Sequence, residues 1–479
     1  MNITIFIIVY VLIVMGIGIY CGKYIKTLDD FALAGRSLST PVLVGTLVAS
    51  IIGGATIVGW TGGFYAFGVD WWWGEVGTIC GLLLAAIFMA ERSRRLEQYT
   101  IPDLLRMRYD GKTATIGSAM IIIGDIALTC VQIMAIGGIL SSFLGLSNQW
   151  SIIIGTIIFI AIAFFGGMVG VAITDTIQAI MLIAFLVIGS AIIVINIGGW
   201  NILISKLPDD FFVLTAHRKL SDGIALALST TGTVAVWQSI IFSRIFAAKS
   251  PTVAKKSMYI MIPVQFVCKF CVFLLGMSAL ALLGPGRDQA TIFATIVLEG
   301  SSSFIGALLI AVVIGALITT TNTILLSISV NITRDFYQRF ILKDIDNISS
   351  EKLVKVGRLT VLGIGILAML MALIMPNIVS AITFTYTMYS AALLIPVYGG
   401  FLWKRASTAG GFYGIIFGGG VALFWHFAGK PFGLDPMIPA AFSSAIAFIV
   451  GSYATAPPSD EQLRVFELME GKSTNEYGN

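Results

Sequence analysis

Long apolar runs separated by short clusters of charge dominate this chain and decide what it can fold into. A helix needs about 20 apolar residues to cross a bilayer. Thirteen such runs can be read, at residues 3–21, 41–66, 71–91, 115–142, 150–166, 171–197, 224–243, 257–283, 303–331, 358–376, 379–402, 408–427 and 436–456. Only 11% of the 479 residues are charged, where a soluble domain carries roughly a quarter. That composition excludes a soluble enzyme, a nucleic-acid binder and a disordered protein. The expected fold is an all-α polytopic membrane protein. One transmembrane domain covers residues 1–456, its first partner is the lipid bilayer, and a short polar tail covers 457–479.

The bases set the orientation. Alternate loops hold 23 Lys and Arg on one side and 5 on the other. Basic loops favour the cytoplasm, so the N-terminus is expected outside and the C-terminus inside a cell membrane. The first run has no basic residue before it and no small-residue cleavage pattern after it, so it reads as a retained span. The five cysteines, Cys21, Cys80, Cys130, Cys268 and Cys271, lie in or beside apolar runs. Neither a disulfide framework nor a zinc site is expected from them.

Two runs look interrupted. The second carries Gly45, Gly53, Gly54, Gly59, Gly62 and Gly63; the Gly53-Gly54 pair at mid-depth marks an unwound stretch or a close helix contact. The seventh carries Ser229, Thr230, Thr231, Gly232 and Thr233 at mid-depth. These two runs are five apart, so five-span blocks over about 41–197 and 224–402 face opposite ways. That is a 5+5 inverted repeat with a broken helix opening each half, a design that holds solute and ion between the breaks.

Ionisable residues at mid-depth are costly and mark function. There are four: Glu75, Asp125, Asp175 and Lys269. Ionised, they sum to −2, which a mobile cation offsets; an internal Asp125–Lys269 pair is the bland alternative. The ninth run presents Thr319, Thr320, Asn322, Thr323 and Ser327, and the spacing of four between 319, 323 and 327 puts oxygens on one helix face. Hard cations take oxygen ligands, and carbonyls freed at the second run's break would complete the shell. The hydroxyls could instead bond back to their own helix.

Six strings, in order, resemble the sodium/solute symporter family: FALAGR at 31–36, TIPDLLRMRY at 100–109, GGMVGVAITDTIQ at 166–178, SRIFAAKS at 243–250, ITTTNTILLSISVNITRDFY at 318–337 and FLWKRASTAGG at 401–411. The resemblance runs from about residue 20 to 455 and implies a LeuT-like fold with thirteen transmembrane helices, sodium coupling and alternating access. It implies a sodium site of the carbonyls of Ala49, Ile52 and Ala316 with the hydroxyls of Thr319 and Thr320. It also implies a second sodium site of Asp175, Thr319, Asn322 and Thr323, where Asn322 departs from the usual hydroxyl or carboxylate. Solute positions transferred from sugar carriers fall on Ala55, Thr56, Glu75, Thr231 and Gln265, with Lys269 one turn beyond. These departures speak against a sugar. Choline carriers are similar around Trp237-Gln238, yet Ile51 stands where an aromatic is wanted. Tyr386 and Tyr389 could face the site or simply pack.

The expected function is sodium-coupled import of a small organic solute, with no cofactor beyond Na+. Glu75 meeting an amine and Lys269 a carboxylate would suit an amino acid such as proline. A proton-coupled carrier remains open through Asp125 or Asp175, as do choline or another amine, pantothenate and sugar as solutes. An intramembrane protease is the alternative of another class. Gly124-Asp125 lacks the flanking residues and second aspartate motif that chemistry needs, and the histidines, His217 and His426, sit toward the outer boundary. No enzyme is expected.

Overall fold

The computed structural model describes residues 33–165, 169–332 and 350–471. They form α1 (Thr40–Ile51), α2 (Gly54–Phe67), α3 (Trp72–Leu84), α4 (Gly111–Leu144), α5 (Asn148–Phe165), α6 (Val169–Asn196) and α7 (Leu220–Ala235). The chain continues as α8 (Pro251–Leu283), α9 (Ser303–Asn331), α10 (Ser350–Ile374), α11 (Ile378–Leu402), α12 (Thr408–Phe427), α13 (Met437–Ala454) and α14 (Asp460–Glu470).

Polar residues fix where the long helices begin. Asp110, Ser250, Asn377 and Ser407 each accept a backbone N–H from the first turn of α4, α8, α11 and α12. An N-cap oxygen satisfies one of the orphan donors there. Pro41 and Pro251 stand at the starts of α1 and α8, where a missing N–H costs nothing. Between α2 and α3 the chain turns at Gly68, whose φ of +56° suits glycine.

Among the described residues, ten helices are long and apolar enough to cross a membrane. The thirteen runs relate to these ten as follows. Run 3–21 lies outside the described residues. Run 41–66 is cut in two, so that α1 is a shorter apolar helix, and its second half α2 joins run 71–91 in one stretch from Gly54 to Arg95. Run 150–166 also yields a shorter apolar helix, Asn148–Ala161.

Helices α4, α7, α9 and α11 are the most deeply buried of the long spans. Helix α6 packs on α1 and α9, α7 on α3 and α11, and α8 on α1 and α2. Small residues permit this closeness: a Cβ on Gly77 would enter Thr230 and Ala227 of α7, and one on Gly232 would enter Ser390 of α11. Helices α10 and α13 turn Leu367, Leu370, Phe442 and Ile446 outward as exposed apolar side chains, the surface a lipid-facing helix presents.

The end of the bundle where α11 closes is tied together by backbone capping. Arg108 is fully buried and donates to the carbonyls of Gly400 at 2.6 Å and Ala406 at 2.8 Å, closing the end of α11. Beyond the last span, α14 opens with a Ser459–Gln462 capping box and buries Val465 and Met469. Gln462 donates to the Tyr109 carbonyl, so the described part of the tail is a docked amphipathic helix.

Candidate ion and solute site

The first helix pair breaks at Ile52 and Gly53. Ile52 ends α1 with φ −93° and ψ 21°, and Gly53 precedes α2 in an extended conformation with φ −58° and ψ 170°. The last carbonyls of a helix have no partner within it, so those from Ala49 to Ile52 are left for other groups. Gly53 is needed for closeness: a Cβ there would stand 2.9 Å from both the Ala49 carbonyl oxygen and Thr320 Oγ1. Gly54 is pressed equally hard, with its would-be Cβ 2.5 Å from the Val313 carbonyl oxygen.

Helix α9 crosses this gap. Thr320 Oγ1 donates to the Ala49 carbonyl at 3.4 Å. Thr319 Oγ1 donates to Gln178 Oε1 at 3.1 Å and lies 3.4 Å from the Ala316 carbonyl oxygen. Ala49, Ile52, Ala316, Thr319 and Thr320 are all buried. Of the five residues expected at one ion site, Thr320 touches the Ala49 carbonyl across the break and Thr319 stands beside Ala316 on α9. Thr323 returns its hydroxyl to the Thr319 carbonyl at 3.0 Å, while the buried Asn322 Oδ1 has no partner.

A small cavity of about 10 Å³, room for about one water, lies beside the same break. Ala55 and Thr56 of α2, Gln132 of α4, Trp237, and Thr385 and Tyr386 of α11 line it, with Leu128, Val131, Ile240 and Ile382 supplying apolar surface. Trp237 and Tyr386 meet edge to face at 6.3 Å. Gln132 is 3% exposed and its Oε1 has no partner. The first residues of α2 face this space with no side-chain cap, so their N–H groups form a weakly positive end.

The expected solute residues separate into two groups. Ala55, Thr56 and Tyr386 line the cavity. Glu75, Gln265 and Lys269 do not. Gln265 Nε2 donates to Glu75 Oε2 at 3.2 Å, and Lys269 Nζ sits 3.0 Å from the centroid of the Trp60 ring, a desolvated cation–π contact. That cluster touches the cavity wall through Trp60, whose Nε1 donates to Tyr386 Oη at 3.3 Å. Thr231 is also elsewhere, its hydroxyl donating to the Ala227 carbonyl at 2.7 Å.

The second break differs from its expected place. Residues Ser229–Thr233 lie inside continuous α7. Their hydroxyls donate one turn back, Thr230 to Leu226 and Thr233 to Ser229, each at 2.8 Å. A hydroxyl that bonds to its own helix leaves the ladder intact. The break falls instead at Val236 and Trp237, with Trp237 extended at ψ 100°, before a π-helical turn over Gln238–Phe242. Asp125 serves this segment. Its Oδ1 accepts from Ser239 Oγ at 2.9 Å and from the Tyr389 hydroxyl, so Asp125 and Lys269 are not a pair.

Three buried polar groups near these contacts lie outside the sequence expectations. Gln132 carried no periodic signal. Gln178 stood in the polar TDTIQ run without a role. Arg244 was counted as a loop base, although IIF before it and IFAA after it are apolar enough to draw it inward. It is 5% exposed and reaches Asp175, Ser50 and Thr46.

A broken helix pair crossed by a hydroxyl-bearing helix is the arrangement of a LeuT-like secondary transporter, and solved structures share it. A Na+-coupled sialic acid symporter superposes with a TM-score of 0.79 at 20% identity, covering 96% of this chain and 99% of that one. A nucleobase–cation symport-1 family transporter superposes with a TM-score of 0.58 at 15% identity, over 92% and 99% of the two chains. The family model described as sodium:solute symporter family matches residues 31–418, and the chain belongs to that family. Among its relatives, the sodium/proline symporter of Escherichia coli (strain K12) is 25% identical over 94% of this chain and 93% of its own length. That of Staphylococcus aureus (strain JH9) is 26% identical over 94% and 92%.

Proposed function

We propose that this chain is a sodium-coupled symporter that imports a small zwitterion, with proline the first solute to test. The observation that carries the reading is that one helix break serves two sites. Its Ala49 carbonyl meets Thr320, with Thr319 the next residue on the same helix, and Ala55 and Thr56 just past the break line the small cavity. In this reading Na+ binds the carbonyls of Ala49, Ile52 and Ala316 and the hydroxyls of Thr319 and Thr320. Ion occupancy then favours one arrangement of the break, and that arrangement binds solute. Coupling is this difference in affinity between states, and the membrane potential adds ~2.3 kcal/mol per charge per 100 mV.

The cavity supports the solute class. A carboxylate suits the open N–H groups of α2, and the unpartnered Gln132 Oε1 can accept from an ammonium. The rest of the lining mixes the apolar and aromatic surface of Leu128, Val131, Trp237, Ile240 and Ile382 with the hydroxyls of Ser50, Thr56, Thr385 and Tyr386. Relatives named sodium/proline symporter agree with this choice. Architecture follows the same proposal: one domain over residues 1–456 with thirteen spans, N-terminus outside, and inverted blocks at about 41–197 and 224–402. The first and fifth spans of each block pack together, α1 with α6 and α7 with α11, which supports the repeat.

Reconstituted vesicles carrying an inward sodium gradient are expected to accumulate labelled proline, and vesicles given a potassium gradient are not. Equal uptake in both would refute sodium coupling. Asp125, buried with Oδ2 unpartnered, favours a proton as the second reading, and uptake driven by a pH gradient alone would support it.

A further inference from the structure

Arg244 lies just past the second break, in the short helix Ser243–Ala247, and its guanidinium turns into the protein. Its Nη1 donates to the Ser239 carbonyl at 2.7 Å and to Ser243 Oγ at 3.0 Å. Its Nη2 donates to Ser50 Oγ at 2.8 Å, and its Nε to Thr46 Oγ1 at 3.3 Å. Asp175 Oδ2 stands 3.6 Å from Nη2, with both side chains at or below 6% exposure. The same carboxylate oxygen accepts from Thr46 Oγ1 at 2.8 Å.

Arginine stays charged in proteins, so the negative charge of Asp175 is already met by a cation that belongs to the chain. Glu75, Asp125 and Asp175 are then opposed by Lys269 and Arg244, and the balance inside the spans falls from −2 to −1. Of the other groups of the second ion site, Thr319 engages Gln178 and Thr323 its own helix, while Asn322 Oδ1 has no partner. A sodium ion at Asp175 would have to displace the guanidinium and leave it buried without a counter-ion, which is strongly unfavourable.

We propose that Arg244 is a tethered second cation: it holds the carboxylate of Asp175, and a single Na+ accompanies each solute. The same contacts clasp α1, which carries the Ala49 and Ile52 carbonyls, to the second broken helix through Ser50 and Thr46. This inference rests on the sodium-coupled reading above.

Equilibrium binding of radiolabelled sodium to the purified full chain, without solute, tests it. The unmodified chain is expected to bind one ion with a single-site isotherm. Arg244→Gln frees the Asp175 carboxylate and is expected to bind two. The double variant Asp175→Asn with Arg244→Gln removes both charges together and is expected to return to one, which keeps the test decisive if the single variant fails to fold. Two ions on the unmodified chain, one on a folded Arg244→Gln variant, or none on the double variant would overturn the proposal. No ion on the unmodified chain would refute sodium coupling itself, and this inference with it.

Discussion

Thr320→Ala is expected to raise the sodium concentration needed for half-maximal uptake by about tenfold or more. The hydroxyl is buried beside the Ala49 carbonyl, so its loss removes one of five proposed oxygens. A buried polar interaction of this kind is worth about 1–3 kcal/mol, and ~1.4 kcal/mol is a factor of ten in affinity. Thr320→Ser keeps the oxygen and is expected to stay near the unmodified value. Sodium titration of proline uptake measures the effect, and sodium-dependent protection from thermal unfolding measures it without any solute. Identical sodium dependence in Thr320→Ala and the unmodified chain would remove Thr320 from the site.

Gly54→Val is expected to abolish transport in a chain that still reaches the membrane. Even the first added carbon would stand 2.5 Å from the Val313 carbonyl oxygen and press into the Leu317 side chain. Neither neighbour can yield cheaply, because both belong to the buried helix α9. The break must therefore move away from Thr319 and Thr320, separating the carbonyls from the hydroxyls. Gly54→Ala is expected to retain a fraction of the activity, since it adds the colliding carbon without the branched methyls. Uptake per unit of protein recovered from membranes gives the comparison, and full activity in Gly54→Val would contradict the close approach.

The spans were legible because lipid imposes length and apolarity on any helix that crosses it. Runs 303–331, 379–402 and 408–427 fall within a residue of α9, α11 and α12. The first break was legible in Gly53-Gly54 because a glycine pair is the sequence trace of a backbone pressed against its neighbours. The second was misplaced because hydroxyl residues carry two meanings: in α7 they bond back to the helix, and the true break at Val236-Trp237 has no glycine to announce it. The spacing of 319, 323 and 327 marked a hydroxyl-bearing helix face, a local property, whereas the proposed ion-site residues were carried over from the family resemblance. The partition of Glu75 and Lys269 away from the cavity depends on Trp60 standing between helices far apart in sequence, and no local pattern records it. Arg244 was hidden for the same reason, since its partners Asp175, Thr46 and Ser50 lie on α1 and α6.

The central claim is that Na+ sits where the first broken helix faces α9. A high-resolution density map of the protein in saturating sodium tests it most directly. The account predicts a peak, absent when choline replaces sodium, about 2.4 Å from the carbonyl oxygens of Ala49, Ile52 and Ala316 and the hydroxyls of Thr319 and Thr320, the distance at which hard cations of this size hold oxygen. A sodium-dependent peak elsewhere, or none between α1 and α9, would contradict it.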